Sequence, residues 1–407
     1  MNILQVSTSD RRGGAEGIAL ALRDGYARAG HGSWLAAGHP SGDDPTILEL
    51  SAKRQRVRSA IDRYRGREEF RFPATRTLLD LPPVRPDVVH AHNLHGWYFD
   101  LRTLPQLSHE TNVVLTMHDS WLLTGHCAHS FACERWQSGC GSCPDLATYP
   151  TLARDGTAAN WQAKARMYRD ARLHVAAPSQ WLLSRVSESM LTPLSSRVIP
   201  NGVDLATFSP GDKQAARLAL GIPLDRPVLL FAAAGILNNP WKDWPTLRDA
   251  VAHLAQTGAP GRPTPLLVGL GEEPGLEASD SDVLSLRYLD DPAAVASVYR
   301  AADIYVHAAK ADTFPTTVLE ALACGLPVVA TAVGGIPEQV TTEGPDATGV
   351  LVPSGDARAM AEALGTLLAD DGRRETLAAA AAAAARNRFD IGMTTAAYLS
   401  WFEEIQC

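Results

Sequence analysis

The chain has 407 residues, a length that predicts two or three domains. Its composition, 45% hydrophobic and 20% charged, supports sizeable cores and excludes collagen-like, coiled-coil and wholly disordered chains. With 37 basic and 45 acidic residues the net charge is −8, which excludes a general nucleic-acid coat, and no nucleic-acid partner is expected.

The elements alternate short β-branched runs with amphipathic stretches, the order of a parallel α/β architecture. Residues 2–6 read as a strand, 7–14 as a glycine-bearing loop and 15–29 as a helix. A strand, a glycine loop and a helix in succession open a doubly wound sheet. Residues 87–92, 112–117 and 173–177 read as further strands, and 193–196 as a linker. The same order then restarts, with strands at 227–234, 265–269, 303–307 and 326–331. Helices are predicted at 245–256, 292–302 and 315–324, the last closed by Gly325. The alanine run 378–385 is predicted helical from alanine's high propensity. The expected fold class is therefore α/β, with two doubly wound Rossmann-like halves at 1–196 and 197–390.

The longest apolar run, 227–237, falls short of the ~20 residues that cross a bilayer. Residues 1–7 carry no signal-peptide pattern, and six cysteines do not describe a secreted disulfide scaffold, so a reducing cytoplasm is expected. Two segments interrupt the regularity. Residues 53–76 hold nine Lys/Arg against three acids; they read as a solvated face or as a loop touching an anionic lipid surface or acceptor. Residues 126–144 hold Cys127, Cys133, Cys140 and Cys143, including one Cys-x-x-Cys. Structural zinc, disulfides and free thiols all remain open, with thiolate-bound zinc preferred in a reducing compartment. A site closed by four thiolates would be structural, because no ligand position would stay open.

The chemistry concentrates at loops that follow strands. In 311–331 a short loop leads into a helix and then a strand, so the helix's first-turn N–H groups offer an anion site. Thr316 and Glu320 are four apart and share one helix face. A carboxylate about one turn above a phosphate site suits ribose hydroxyls. Lys242, one of only five lysines, follows the strand at 227–234. Gly334 and Gly335 form another glycine loop before a helix. In the first half, Gly13 and Gly14 open the first helix, and His118 and Asp119 end a strand. Asn93 and His95 lie in a polar loop with His90 and His92, read as acceptor contacts, with Trp97 and Tyr98 read either as sugar-stacking platforms or, equally, as aromatics packed in the core.

Asp312 and Glu320, separated by seven residues, resemble the donor-site signature of the family-4 glycosyltransferases, retaining enzymes of the GT-B fold. The resemblance implies that Glu320 holds the ribose and Asp312 the hydroxyls of the transferred sugar. It places Phe314, Pro315, Thr316 and Thr317 at the sugar and distal phosphate. Lys242 would grip the diphosphate, with Ile236 standing where the family usually has an arginine. Pro315 replaces a glycine and removes one backbone donor, which the threonine hydroxyls could replace. Gly14 would approach the donor phosphate, Gly13 the acceptor, and His118 the transferred sugar, with Asp119 beside the acceptor. The final helix, within 391–407, would cross back to the first domain. Trp121, Thr124 and Gly125 ahead of the cysteines, and Pro144 after Cys143, resemble a cysteine-rich subset of the family.

The expected activity is sugar transfer from a nucleotide diphosphate-sugar, UDP- or GDP-linked, to a hydroxyl of a glycan, a lipid-linked sugar or a small metabolite. His118, Asp312 and Lys242 would be catalytic, and no catalytic metal is expected. Two alternatives stay open: a GT-B-fold epimerase or phosphorylase, and a non-catalytic nucleotide-sugar binder.

Overall fold

The computed structural model describes residues 1–11, 13–51, 56–68, 71–257, 263–271 and 282–406. Part of the basic segment, 53–55 and 69–70, therefore lies outside the described residues. The chain forms two compact units, 1–200 with 394–407, and 201–393.

The first unit holds seven strands: β1 (Asn2–Ser9), β2 (Gly32–His39), β3 (Ile47–Glu49), β4 (Val88–Ala91), β5 (Asn112–Thr116), β6 (Leu173–Ala177) and β7 (Ser195–Val198). They pair in the order β3-β2-β1-β4-β5-β6-β7, every pairing parallel. The second unit holds six: β8 (Val228–Ala232), β9 (Leu266–Leu270), β10 (Val283–Leu286), β11 (Ile304–His307), β12 (Val328–Thr331) and β13 (Gly349–Val352). Their order is β10-β9-β8-β11-β12-β13, again wholly parallel.

Both sheets reverse direction of winding once, between β1 and β4 and between β8 and β11. In doubly wound sheets that reversal opens a crevice at the strands' carboxyl ends, where ligands bind. Parallel strands are covered on both faces and so read as unbroken apolar runs. In β8 all five residues are buried. Successive side chains point to opposite faces: Val228, Leu230 and Ala232 join one core, Leu229 and Phe231 the other. Helices Pro292–Ala301 and Thr316–Ala323 cover the first face; Trp244–Thr257 and Ala357–Ala369 cover the second.

The expected linker at 193–196 is a correction. Residues Ser195–Val198 are the edge strand β7, paired with β6 from His174↔Ser195 to Ala177↔Val198. An edge strand faces a partner on one side only, so its sequence carries little apolar signal, and here serines stand at 195 and 196. Strands β2, β3, β10 and β13 were not foreseen either; β3 has three residues, too few for a periodicity. The final helix, Ile391–Gln406, contributes its residues from Thr394 onward to the first unit. There Tyr398, Trp401 and Phe402 are buried, and Tyr398 shares a 2.8 Å hydrogen bond with Thr116.

Helix Gly14–Arg28 approaches that last helix at Gly25, where an added Cβ would lie 2.5 Å from Thr395 Oγ1. Gly25→Leu is expected to destabilise the first unit by about 1–3 kcal/mol, the usual cost of overpacking, and Thr395→Ala should recover part of it. Thermal melts of the single and double variants check this.

Candidate active site

The second unit places three side chains together at its winding reversal. Lys242 follows β8, His307 ends β11, and Asp312 lies in the loop after β11. Lys242 Nζ donates to Asp312 Oδ2 at 2.6 Å, and His307 Nε2 lies 3.2 Å from both groups. Tyr305 Oη reaches His307 Nδ1 at 3.0 Å from below.

Backbone lacing fixes this trio. Asp243 N–H donates to Ala308 O, and Lys310 N–H to Trp241 O. Residues 241–243 are therefore tied directly to 308–310. The loop carrying Asp312 is closed from the other side by Gly334 (φ +57), where a Cβ would lie 1.7 Å from the Asp312 carbonyl oxygen. Only glycine fits that approach. Asn201 Nδ2 donates to Phe314 O and Gln339 Nε2 to Pro315 O, which holds the rest of the loop.

Burial alone would raise the Asp312 carboxyl; the Lys242 ammonium and His307 outweigh it and hold the group well below the usual carboxylate range. Burial, aided by Lys242, pushes His307 down to about 4, so the ring is neutral at neutral pH. The trio thus carries one positive and one negative charge.

Pro315 is the N-cap of helix Thr316–Ala323, so its missing N–H falls before the first turn. Thr316 and Thr317 supply first-turn N–H groups. Phe314 is buried in the core and anchors the loop rather than lining an open surface. One turn into the helix, Glu320 Oε2 accepts from Tyr299 Oη at 2.8 Å, and burial pushes its carboxyl up to about 7. Ile236, where the resemblance would put an arginine, is buried in the second core.

The first unit repeats the arrangement at its own reversal. Gly13 caps helix Gly14–Arg28 with φ +136, and the Glu16 carboxylate folds across it. A chain of neutral side chains follows: Gln5 Oε1 to His92 Nε2 at 2.9 Å, then His92 Nδ1 to His118 Nε2 at 2.9 Å. Burial pushes His118 down to about 4 and holds His92 well below the usual imidazole range. His95 Nε2 meets Asp119 Oδ2 at 2.7 Å. Burial opposes charge on His95, but Asp119 outweighs it and raises the ring; burial opposes charge on Asp119, but His95 outweighs it and lowers the carboxyl.

The Asn93 carbonyl accepts from Tyr98 Oη at 2.7 Å and from Thr8 Oγ1. Tyr98 is fully buried, its ring filling the space left by Gly38, so it cannot serve as a sugar platform. Trp97, by contrast, is 49% exposed and held at φ +61, a conformation that costs a bulky residue about 1–3 kcal/mol. His90 bonds Tyr26 and Thr116 inside the core and is structural.

Beneath this site, Lys164 is fully buried. It pairs with Glu68 at 2.9 Å, donates to Trp121 O and Thr124 O, and sits 3.7 Å above the Trp121 ring. Neither partner of that pair, nor His307, Tyr299 or Gln5, was foreseen. His307 had a usable signal: it ends a strand five residues before Asp312.

The four cysteines are free, and Cys127, Cys140 and Cys143 interact electrostatically with one another or with Cys133. Residues 139–142 all have positive φ and curl Cys140 and Cys143 into a knuckle. His126 Nε2 lies 3.4 Å from Cys143 Sγ. Among the described residues, no group of three or more His, Cys, Asp or Glu side chains is arranged to hold a metal ion. Nor is any helix among them long and apolar enough to cross a membrane.

Two parallel doubly wound units, with charged groups at both reversals, define a GT-B glycosyltransferase fold. Residues 12–207 match the Glycosyltransferase Family 4 profile, and residues 226–370 the profile for glycosyl transferases group 1. A D-inositol 3-phosphate glycosyltransferase of Xylanimonas cellulosilytica is 30% identical, covering 98% of this chain and 93% of its own length. The chain therefore belongs to the family-4 glycosyltransferases. Among solved structures, sucrose-phosphate synthase from Thermosynechococcus elongatus aligns with TM-score 0.70 at 20% identity, covering 99% of this chain and 98% of its own. HepE of Anabaena, solved with UDP, aligns with TM-score 0.67 at 19% identity, covering 99% of this chain and all of its own.

Were Glu320 to hold the ribose, as the family resemblance implies, its carboxylate form would accept from both hydroxyls where the neutral acid offers one good acceptor, and nucleotide affinity would then depend on pH. Glu320 is raised in the folded chain, so through this group folding is disfavoured as pH climbs from the ordinary carboxylate range through about 7. Nucleotide affinity is expected to run the other way: level above about 7, and falling up to about tenfold per pH unit below it. Glu320→Gln should flatten the profile. Calorimetric titration with UDP from pH 5.5 to 8.5 checks this.

Proposed function

We propose that the second unit binds a nucleoside diphosphate-sugar, with Lys242 on the diphosphate and Glu320 on the ribose, and that the first unit presents an acceptor hydroxyl near His118. The observation that carries this reading is the Lys242–Asp312–His307 trio at the β8/β11 reversal, beside a helix N-terminus with Glu320 one turn on. A phosphate entering there meets an ammonium and first-turn N–H groups. Lys242 is held by a carboxylate in the unliganded chain, so its charge is positioned before substrate arrives.

In transfer the sugar passes through an oxocarbenium-like state while charge builds on the leaving diphosphate. Lys242 and the helix N-terminus bind that charge better in the transition state than in the ground state, which lowers the barrier. Asp312 is ionised and takes hydrogen bonds from the sugar hydroxyls. We assign retention by a same-face route, in which the leaving phosphate oxygen takes the acceptor's proton. Neutral His118, fixed by His92, donates or accepts toward a sugar hydroxyl without adding positive charge beside the oxocarbenium ion. UDP is the first donor base to try, since HepE, a neighbour in fold, was solved with it.

Lys242→Ala is expected to lower kcat by about 10²–10³-fold, the usual loss for one oxyanion donor, with KM for the donor changed less. Wild-type turnover in that variant would refute the assignment. Steady-state assays with UDP-glucose or GDP-mannose, with a melting curve to confirm folding, provide the measurement.

The cysteine insert carries a separate proposal: Cys127, Cys133, Cys140 and Cys143 close on one structural zinc after side-chain rotation. The knuckle at 139–142 and the mutual proximity of the thiols support it. Elemental analysis of protein produced with added zinc should give one zinc per chain, and Cys140→Ser should lose it. Protein free of zinc under those conditions would contradict the proposal.

A further inference from the structure

We propose that His307 is a positioning residue for sugar transfer: it holds the Asp312 carboxylate in place when the donor's diphosphate takes up the charge of Lys242. This rests on the donor reading above and adds to it the residue that lets Lys242 and Asp312 act on different parts of one substrate.

In that reading one positive charge serves two anions. In the unliganded chain the Lys242 ammonium sits 2.6 Å from Asp312 Oδ2. Once a diphosphate lies beside Lys242, the ammonium is shared and Asp312 keeps less than a full countercharge. The Asp312 side chain is only 17% exposed, so water replaces little of what is lost. A shielded carboxylate without a partner takes up a proton or swings toward solvent. Either outcome removes the acceptor that the sugar hydroxyls need.

His307 is placed to prevent both. Its Nε2 lies 3.2 Å from the same oxygen, Oδ2, and Lys242 and His307 are the two side chains hydrogen-bonded to that carboxylate among the described residues. The residue ends β11, a strand buried along its length. Its ring is fully buried and packs against the Tyr305 and Phe231 rings at centroid distances of 6.0 and 6.4 Å. Nδ1 meets Tyr305 Oη at 3.0 Å, so the imidazole is held from behind as well.

The chemistry of the ring completes the arrangement. A neutral imidazole has one N–H and one lone pair. With the Tyr305 hydroxyl donating to Nδ1, the hydrogen stays on Nε2 and is donated to Asp312 Oδ2. The neutral ring gives Asp312 a hydrogen bond without placing a second cation beside Lys242. Only a short turn of the ammonium toward phosphate is then required, and Asp312 keeps both its charge and its aim.

The test uses the full chain. In 15N spectra of protein saturated with UDP or GDP, whichever binds, His307 is expected to carry its hydrogen on Nε2; an unprotonated Nε2 would overturn the inference. Calorimetry then compares UDP with UDP-glucose, and GDP with GDP-mannose, on the wild type, His307→Leu and His307→Gln. For the pair that binds tightest, His307→Leu should leave the bare nucleotide within about twofold and weaken the sugar nucleotide about tenfold. His307→Gln, which offers Asp312 an amide N–H, should restore most of that loss. The inference is overturned if nucleotide and sugar nucleotide weaken alike, if neither changes, or if glutamine restores nothing. The wild-type spectrum decides even where a variant fails to fold. Nucleotide affinity in Lys242→Ala reports on the donor reading separately. If it is unchanged, that reading falls and the role of His307 with it; if it drops while His307→Leu binds as the wild type does, only the role of His307 falls.

Discussion

An ammonium held 2.6 Å from a carboxylate, in a place where both are largely shielded from water, is the constraint on which the second unit's chemistry depends. Either charge alone would be costly to bury; Lys242 and His307 hold the Asp312 carboxyl ionised, and burial with Lys242 keeps His307 neutral. The fold supplies the location. A parallel sheet that reverses its winding leaves a crevice at its carboxyl edge, and the three groups arrive there from the ends of β8 and β11. The lacing of 241–243 to 308–310 then turns a flexible lysine into a fixed one. A preorganised charge of that kind loses little on binding phosphate, because no reorganisation remains to be done.

The first unit reaches a comparable end by other means. Burial keeps His92 and His118 neutral, linked in a chain from Gln5, and beside them His95 pairs with Asp119. Below them Lys164 does structural work. Its ammonium takes the carbonyls of Trp121 and Thr124, pairs with Glu68 and covers the Trp121 ring. The basic segment, through Glu68, and the loop 121–124 that leads into the cysteine insert thus meet at one buried lysine.

Much of this was legible in the sequence, and what was not has identifiable reasons. Unbroken apolar runs marked β8 and β11 because parallel strands bury both faces, and the loop, helix and strand at 311–331 were legible as elements, the donor role of that helix being what the resemblance implies and what we propose. The strand at 195–198 was hidden because an edge position asks little of its side chains. Lys242 stood out by rarity, but its partnership with Asp312 spans 70 residues and no local pattern carries it. Trp97 and Tyr98 read alike in the sequence, as platforms or as core aromatics; the chain turns between them so that the Tyr98 ring is buried under Gly38 and the Trp97 ring is left outside. The basic segment read as a charge run, while its Glu68 pairs with the buried Lys164 and its Gly66 packs backbone to backbone against Gly156.

The most direct test is a crystal structure of the chain with UDP bound. The account predicts a phosphate oxygen within hydrogen-bonding distance of Lys242 Nζ and of the Thr316 or Thr317 amide, with the ribose hydroxyls on Glu320. A nucleotide lodged away from the β8/β11 reversal, with Lys242 still closed on Asp312 and no phosphate beside it, would contradict the account.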